Sequence, residues 1–320
     1  MPGRTDTAPA VSIILPTYNR GHCIRRSVDS VLNQTFTDFE LIVIDDGSKD
    51  DTKQILESYK DPRLVHIHNT DNCGQTKRLN DGLRIARADL IAFQDSDDEW
   101  LPTKLEKQVT AMRRLPPEVG IVYTDKWRHE PGREKYHWRS PSNMPEHGII
   151  FDRALDDRVY NIGPQSVLIR KRCFDDLGPF DERLTNFNDW EIFVRISRKY
   201  LFFHIQEPLV NYFVSPDALT RIGEYKGIEA IEVLFDKFLP DLQRNPALMA
   251  KRAYWIGSFH MREGNVKKGR AFLWTAAKTR PFNPRYVAAW LLSLLGRPAY
   301  RAAHRFLKSR QPARMAGGTA

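Results

Sequence analysis

The chain has 320 residues, 41% of them hydrophobic, which is enough for one large domain or for a domain with an appendage. Its three cysteines are far apart and lack C-x-x-C spacing, which excludes a disulfide framework and a zinc site of that type. The net charge is +9, but residues 251–320 carry 15 Lys and Arg against one acid, so the positive charge lies in the C-terminal part.

Two further properties concern location and partners. The first ten residues lack the apolar region of a signal peptide, and no apolar run approaches the ~20 residues of a membrane span. We therefore expect a cytoplasmic protein, either soluble or peripheral on the inner face of the plasma membrane. The basic C-terminal part favours a polyanionic partner, which is either nucleic acid or an anionic membrane surface.

Short apolar runs alternate with amphipathic segments along residues 11–124. The runs predict strands that are buried on both faces, and the segments between them have helical spacing. The predicted strands are Val11–Leu15, Glu40–Asp45, Arg63–His68, Leu90–Gln94 and Gly120–Thr124, and the predicted helices include Cys23–Gln34, Gly74–Ala86 and Pro102–Arg114. This alternation indicates an α/β fold with a doubly wound, mainly parallel, Rossmann-like sheet.

An acidic cluster follows the fourth predicted strand. The stretch LIAFQDSDDEW, residues 90–100, places Asp95, Asp97 and Asp98 directly after an apolar run. Crowded carboxylates repel one another and raise one another's pKa values unless a cation lies between them. A divalent cation, Mg²⁺ or Mn²⁺, is therefore the first hypothesis, and a solvated acidic turn is the alternative.

Polar clusters also follow the first two strands, at 16–20 and 45–48. Ligands of doubly wound sheets bind outside the carboxyl ends of the strands, so all three clusters are expected to face one crevice. The chain lacks the G-x-G-x-x-G of a dinucleotide fold and the G-x-x-x-x-G-K-[ST] of a phosphate loop. Asp46 could accept hydrogen bonds from a ribose or a base, and a metal on Asp95 and Asp97 could hold a diphosphate. These features predict a nucleoside diphosphate ligand.

The segments VSIILPTYNR, LIVIDDGSKDDT and NCGQTKRLNDGLRIARADLIAFQDSDDEW together resemble the inverting family 2 glycosyltransferases of the GT-A fold. The resemblance covers about residues 11–214. It implies that the nucleoside of a nucleotide-sugar donor is held by the residues Pro16, Thr17, Tyr18 and Asp46. It also implies that the D-x-D motif, Asp95-Ser96-Asp97, holds the divalent cation and the diphosphate.

The third predicted helix departs from the family pattern. Members often read N-x-G-x-x-x-A-R-N-x-G there, whereas this chain has Leu79 at the position of the Arg, with Lys77 and Arg78 beside it and Asn80 in place. The resemblance makes Arg78 and Asn80 candidates for donor binding. A helix rotates about 100° per residue, so a shift of one position matters. The alternative is that Lys77 and Arg78 are ordinary exposed helix cations.

The second half is expected to supply a catalytic base. The segment FNDWEIFVRISRK, residues 187–199, resembles the family's E-D-W-E-hydrophobic-R segment, with Asp189 at the position of the catalytic Asp and Asn188 in place of the common Glu. The resemblance implies that Asp189 deprotonates the acceptor hydroxyl in a single displacement with inversion. A carboxylate in the first turn of a helix is the structural alternative.

We expect a flexible segment 1–10, a GT-A domain 11–219 and a basic region 220–320, which the helical spacing of its apolar residues predicts to be helical. Within the domain, residues 11–124 are expected to bind the donor and residues 125–219 to carry the acceptor side and the base. The segment Lys126–Pro145 has no clean period and is expected to be irregular. The segment Tyr286–Lys308 is expected to form an amphipathic basic helix that lies on an anionic membrane or packs on the protein.

The predicted function is a metal-dependent transfer of a sugar to a glycan, a glycolipid or a protein acceptor, in surface polysaccharide or glycolipid synthesis. An inactive sugar-nucleotide binder is the alternative. A nucleic-acid binder that uses the basic tail is less favoured, because the body is net acidic and no recognised nucleic-acid module is present. A receiver-like phosphoacceptor domain would not need the segment around Asp189.

Overall fold

The computed structural model describes residues 7–139, 147–148, 151–156, 162–214 and 227–309. The chain separates into two compact units, with the division between Ile222 and Gly223. The first unit contains a single mixed sheet with helices, and the second is helical. The predicted α/β class with a helical C-terminal region is confirmed.

The sheet of the first unit has the order β3-β2-β1-β4-β9-β6-β10-β5, with β7 added to β6 and β8 to β10. The strands are β1 Val11–Thr17, β2 Phe39–Asp45, β3 Leu64–His68, β4 Leu90–Phe93, β5 Glu99–Trp100, β6 Val119–His129, β7 Tyr136–Trp138, β8 His147–Gly148, β9 Val167–Arg170 and β10 Leu201–Phe213. Strands β3, β2, β1 and β4 are parallel neighbours, β6 and β10 are parallel, and β9 runs antiparallel to both β4 and β6.

Helices cover the sheet and complete the core. They are α1 Ile24–Leu32, α2 Thr52–Glu57, α3 Gln75–Ile85, α4 Lys104–Arg114, α5 Phe151–Leu155, α6 Arg172–Leu177 and α7 Asn188–Ser197. Every residue of β1 and of β2 is buried, which explains why these strands are apolar on both faces. Their side chains pack with those of α1 and α4 in one hydrophobic cluster.

Two features of the sheet were not predicted. The two residues of β5 pair antiparallel with Val210 and Asn211 of β10, although more than a hundred residues separate them along the chain. The prediction of an irregular segment at Lys126–Pro145 is wrong for its first part, because β6 continues to His129 and pairs with β7. Residues 140–145 of that segment lie outside the described residues. The expected division between residues 124 and 125 falls inside β6.

The second unit contains α8 Gly227–Lys237, α9 Leu239–Arg244, α10 Pro246–Glu263, α11 Val266–Thr279, α12 Pro284–Leu294 and α13 Gly296–Ser309. The helix predicted over Tyr286–Lys308 is wrong as a single element, because it breaks at Gly296. This glycine has a φ of 85°, a left-handed conformation that glycine adopts without steric cost. Among the described residues, none of the helices is long and apolar enough to cross a bilayer.

Candidate active site

The three polar clusters predicted to meet do lie at one edge of the sheet. In the parallel registers, Thr17 at the end of β1 is opposite Asp45 at the end of β2, and Ile14 is opposite Phe93 at the end of β4. The backbone N–H of Asp46 donates to the carbonyl of Thr17 at 2.9 Å, which joins the first two clusters directly. The crevice therefore begins where β1, β2 and β4 end.

Asp46 is buried and its carboxylate is held from three sides. The backbone N–H groups of Cys73 and Gly74 donate to its two oxygens at 2.9 and 2.8 Å. The Nε of Arg78 donates to Oδ1 at 2.5 Å. A hydrogen bond from a guanidinium is stronger than one from a neutral donor. These three contacts fix the Asp46 carboxylate at the start of α3.

Arg78 is a buried residue and not an exposed helix cation. Besides Asp46, its guanidinium contacts Asp81 at 2.8 Å and donates to the carbonyl of Asp71 at 2.8 Å. The neighbouring Leu79 is 3% exposed and belongs to the core. The departure from the family pattern therefore puts an apolar side chain into the core at position 79, while the residue before it brings a positive charge to Asp46.

The end of β1 offers one unsatisfied polar atom. The hydroxyl of Thr17 is buried and has no hydrogen-bond partner within the described residues. A buried hydroxyl without a partner is costly, and a polar ligand atom would remove that cost. Pro16 is buried within β1, and Tyr18, which follows Thr17, is 40% exposed. These positions suit a pocket that is completed by a bound molecule.

The D-x-D residues lie at the end of β4, close to α1. Burial, together with the charges of Asp97 and Asp189, raises the pKa of Asp95 to about 7. Arg20 contacts the Asp97 carboxylate at 3.7 Å. The Ser96 carbonyl accepts a contact from the thiol of Cys23 at 3.5 Å, so its backbone is tied to the segment before α1.

Asp98 differs from the D-x-D pair because its carboxylate is satisfied within the protein. It is 1% exposed and accepts hydrogen bonds from the side-chain amide of Gln165 at 2.7 Å and from the backbone of Phe213 at 2.9 Å. Burial and the charges of Asp95 and Asp97 raise its pKa well above the usual carboxyl range. Asp98 joins the end of β4 to β10 and to the turn before β9.

Asp189 lies in the first turn of α7 and faces the same cluster of charges. Its carboxylate accepts the backbone N–H of Trp190 at 2.8 Å. Burial raises its pKa, and its charge in turn raises the pKa of Asp95. The residue before it, Asn188, donates to the hydroxyl of Thr76 on α3 at 2.9 Å. Position 188 therefore anchors the start of α7 to α3.

Asn80 makes its contacts away from the strand ends. Its side-chain oxygen accepts the backbone N–H of Phe180 at 3.0 Å, and its side-chain nitrogen donates to the carbonyl of Phe180 and to the carboxylate of Glu182. These contacts fix the turn before α7 on α3. A direct contact between Asn80 and a donor stays a prediction.

Lys126 is a site residue that the sequence analysis missed. It is 4% exposed, and the charges of Asp98, Asp95 and Asp189 all act on it. Burial nevertheless lowers its pKa to about 8. Its ammonium donates to the carbonyl of Ile162 at 3.0 Å. The other clusters were identified as polar residues directly after a predicted apolar strand. The same pattern occurs at positions 124–126, so it could also have identified Lys126.

The carboxylates of Asp95 and Asp97 are ligands of the kind that a hard divalent cation shares with a substrate. Within the described residues, no group of three or more His, Cys, Asp or Glu side chains has the arrangement of a protein metal site. Mg²⁺ and Mn²⁺ are often held by one or two carboxylates together with substrate phosphates. The charge of Asp97 helps to raise the pKa of Asp95, and a bound cation would relieve this repulsion.

Comparisons with known sequences agree with this arrangement. The family profile described as "Glycosyl transferase family 2" matches residues 12–178. An uncharacterized glycosyltransferase of Rickettsia typhi is 29% identical over 245 residues, which is 76% of each chain. The Escherichia coli protein WfgD, named as a UDP-Glc:alpha-D-GlcNAc-diphosphoundecaprenol beta-1,3-glucosyltransferase, is 42% identical over 113 residues, 35% of this chain and 44% of that protein.

Solved structures share the fold at lower sequence identity. The chain is similar to residues 1–349 of S. aureus TarS, with a TM-score of 0.67, 18% identity, and coverage of 95% of this chain and 93% of that one. A complex of the same TarS region with UDP-GlcNAc gives a TM-score of 0.66 at 18% identity, with the same coverage. The mannosyltransferase PcManGT of Pyrobaculum calidifontis, in complex with GDP-Man and Mn²⁺, gives 0.54 at 18% identity, covering 95% and 89%.

Proposed function

Because the chain belongs to glycosyl transferase family 2 and is a glycosyltransferase, we propose that it transfers a sugar from a nucleoside diphosphate to an acceptor hydroxyl with inversion. The observation that carries this proposal is that Asp97 and Asp189 lie close enough to Asp95 for the charges of both to raise the pKa of its buried carboxyl group. Two of these carboxylates follow β4 and the third opens α7, so the donor and acceptor halves of the unit meet there.

The donor end of the site is proposed to lie along β1, β2 and the start of α3. The Asp46 carboxylate, which Arg78 and two backbone N–H groups hold in place, can accept hydrogen bonds from the nucleoside. The buried hydroxyl of Thr17 and the exposed ring of Tyr18 supply a further hydrogen bond and an apolar surface. Arg78 then acts on the donor through Asp46.

Asp95 and Asp97 would hold the divalent cation, Mg²⁺ or Mn²⁺. When bound there, the cation neutralises the diphosphate and so stabilises it as a leaving group. The Mn²⁺ in the PcManGT complex supports this assignment by analogy of fold. Arg20, beside Asp97, adds a fixed positive charge at the same end of the site.

Asp189 is proposed as the general base. It takes the proton of the acceptor hydroxyl, whose oxygen forms a bond to the anomeric carbon while the bond from that carbon to the diphosphate breaks. Burial raises its pKa, which makes its carboxylate a stronger proton acceptor than an exposed Asp. One displacement without a covalent intermediate inverts the anomeric configuration.

The acceptor class is proposed from the relatives. WfgD is named for a lipid-linked acceptor, and another relative, TuaG of Bacillus subtilis, is 40% identical over 110 residues and is named for teichuronic acid biosynthesis. We therefore propose a role in cell-envelope polysaccharide synthesis on a glycolipid acceptor at the inner membrane face. UDP-glucose and UDP-GlcNAc are the first donors to test, since WfgD is named for one and TarS binds the other.

The test compares Asp189→Asn with Asp175→Asn. Asp175 is a matched control, because it is an exposed acid in the first turn of another helix, α6. A panel of nucleotide sugars is screened with the wild-type chain for metal-dependent release of nucleoside diphosphate in the presence of glycolipid acceptors. We expect Asp189→Asn to lower turnover by about 10²–10⁴-fold and the control to leave it unchanged.

Nucleotide binding is measured on the same proteins by calorimetry with Mn²⁺ and with Mg²⁺. Asp189→Asn is expected to bind nucleoside diphosphate as the wild type does, because Asp46 and the D-x-D pair are intact. Loss of binding together with turnover would contradict the separate roles. Binding by the wild type without transfer to any acceptor would favour an inactive sugar-nucleotide binder.

A further inference from the structure

The second unit exposes large apolar side chains on one helical hairpin. In the part of the chain that the structure describes, seven large hydrophobic residues are exposed, and five of them lie on α11, α12 or the turns beside these helices. They are Trp274, Phe282, Leu291, Leu294 and Leu295, with exposed fractions from 48% to 98%. We call residues 266–295 the α11–α12 hairpin.

The outer face of α12 is apolar along its whole length. Pro284, Ala288, Leu291 and Leu295 follow one another at helical spacing, and all four are exposed. The polar Ser293, by contrast, is fully buried. A helix whose outer face meets only water carries polar residues there, so this pattern indicates that something apolar covers the face.

The outer face of α11 mixes an aromatic residue with cations. Lys267, Ala271, Trp274 and Lys278 are exposed at the same spacing, so Trp274 lies between two lysines. The ring centroids of Trp274 and Trp290 are 4.8 Å apart, which brings the aromatic side chains of the two helices together. Tryptophan beside lysine is the composition of helices that lie in a membrane interface.

The charged side chains of the hairpin itself are all positive, and one of them, Lys268, pairs with Glu232 of α8 at 3.0 Å. Residues 264–309 contain ten Lys and Arg and no Asp or Glu. Lys278 and Arg280 precede the turn that carries Phe282, and Arg285 follows it, and all three cations are exposed. Phe282 itself is 98% exposed. The most exposed apolar residue of the hairpin thus lies among cations.

We propose that the α11–α12 hairpin docks on an anionic membrane surface. Phe282, Leu291 and Leu295 enter the boundary between headgroups and acyl chains, while the lysines and arginines beside them contact lipid phosphates. The proposal deepens the proposed function, on which it rests for the lipid-linked acceptor. The docking surface itself follows from the exposure and the charge of the hairpin alone.

Other occupants fit this surface less well. A second copy of the chain would bring a hairpin with six Lys and Arg and no acid against an identical hairpin, which is repulsive. A nucleic acid would match the charge and could stack a base on Trp274 or Phe282, but it offers no aliphatic interior for Leu291 and Leu295. Only a lipid interface combines phosphates with an apolar interior at this scale.

The first test measures co-sedimentation of the full chain with vesicles of phosphatidylcholine, with or without phosphatidylglycerol. We expect binding to the anionic vesicles only, and we expect Phe282→Ser to weaken it at least about tenfold. Because Phe282 is almost fully exposed, this variant should keep the wild-type unfolding temperature. Transfer to a water-soluble acceptor should also be unchanged.

The second test removes charge without touching the apolar residues. Lys278→Gln with Arg280→Gln should weaken binding by about 25-fold, since each basic residue near an anionic surface contributes about fivefold. The matched control is Arg113→Gln with Arg114→Gln, two exposed cations at the end of α4 in the first unit. The control should bind as the wild type does.

Three results would overturn the proposal. The first is equal binding of the wild type to neutral and anionic vesicles, or binding to neither. The second is an equal loss of vesicle binding in the double variant of the hairpin and in the control double variant of α4. The third is a concentration-dependent dimer in light scattering that Phe282→Ser abolishes, which would assign the hairpin to a second copy. Vesicle binding is measured without donor or acceptor, so an inactive chain that still binds would refute the proposed function and not the docking surface.

Discussion

The buried contact between Arg78 and Asp46 gives the sharpest test of how the donor site is held. We consider Arg78→Met, which keeps an unbranched side chain but removes the guanidinium. The variant loses contacts with Asp46, Asp81 and the carbonyl of Asp71, and Asp46 stays 3% exposed. Removing one partner of a buried pair costs about 3–5 kcal/mol, because the other charge is left buried.

The backbone N–H groups of Cys73 and Gly74 still donate to Asp46 in this variant, which puts the expected loss near the lower end, about 3 kcal/mol. For a unit of this size, that loss lowers the unfolding temperature by about 6–12 °C. Because Asp46 is no longer held, affinity for nucleoside diphosphate should fall by more than about tenfold.

Arg84 supplies the matched control, because it lies on the same helix and pairs with the same Asp81, but its side chain is 70% exposed. Exposed pairs contribute little, so Arg84→Met should unfold within a few degrees of the wild type. Thermal unfolding followed by circular dichroism, with calorimetry of nucleotide binding, compares the two variants. Equal losses in both, or full nucleotide affinity in Arg78→Met, would refute the reasoning.

Two further predictions concern buried and exposed groups. Iodoacetamide should alkylate exposed Cys73 but not Cys173, because burial raises the pKa of the Cys173 thiol to about 12. Nucleoside diphosphate should protect Cys73 from alkylation, because the backbone N–H of Cys73 donates to Asp46. Mass spectrometry after digestion gives the alkylation rates, and a Cys73 rate that nucleotide does not change would contradict the proposed donor pocket. Burial lowers the pKa of Lys104 well below 10.5. Between that lowered pKa and 10.5, the unfolded chain binds more protons than the folded chain, so the free energy of unfolding should rise with pH. Urea unfolding should show a smaller rise in Lys104→Met than in the wild type, because Lys126, whose pKa is also lowered, is present in both. A pH-independent difference between the two proteins would contradict this prediction.

The parts of the fold that could be predicted are those fixed by neighbouring residues. The apolar runs of β1, β2 and β4 are buried on both faces, so their composition alone identifies them. The position of the acidic cluster could be predicted for the same reason, because the cluster directly follows β4. The local sequence pattern was sufficient to predict a strand wherever the neighbouring helices bury that strand on both faces.

The parts that were missed depend on partners far along the chain. The two residues of β5 become a strand only because β10 lies beside them. The polar end of β6 extends to His129 because β7 and β10 supply its hydrogen bonds, which its composition does not indicate. Asn80 similarly finds its partners about a hundred residues later, at Phe180 and Glu182.

Lys126 shows how one such missed residue bears on the metal. When Asp95, Asp97, Asp98 and Asp189 are all ionised, Lys126 and Arg20 balance only half of their charge and leave two negative charges in a buried place. Burial is the first cause of the raised pKa values of Asp95 and Asp98, and the negative charges around them add to it, so without a further cation these groups retain protons to higher pH. A divalent cation carries the two missing charges and would displace those protons. The charge balance around Lys126 therefore adds Asp98 and Asp189 to the support that the D-x-D pair gives the proposed metal.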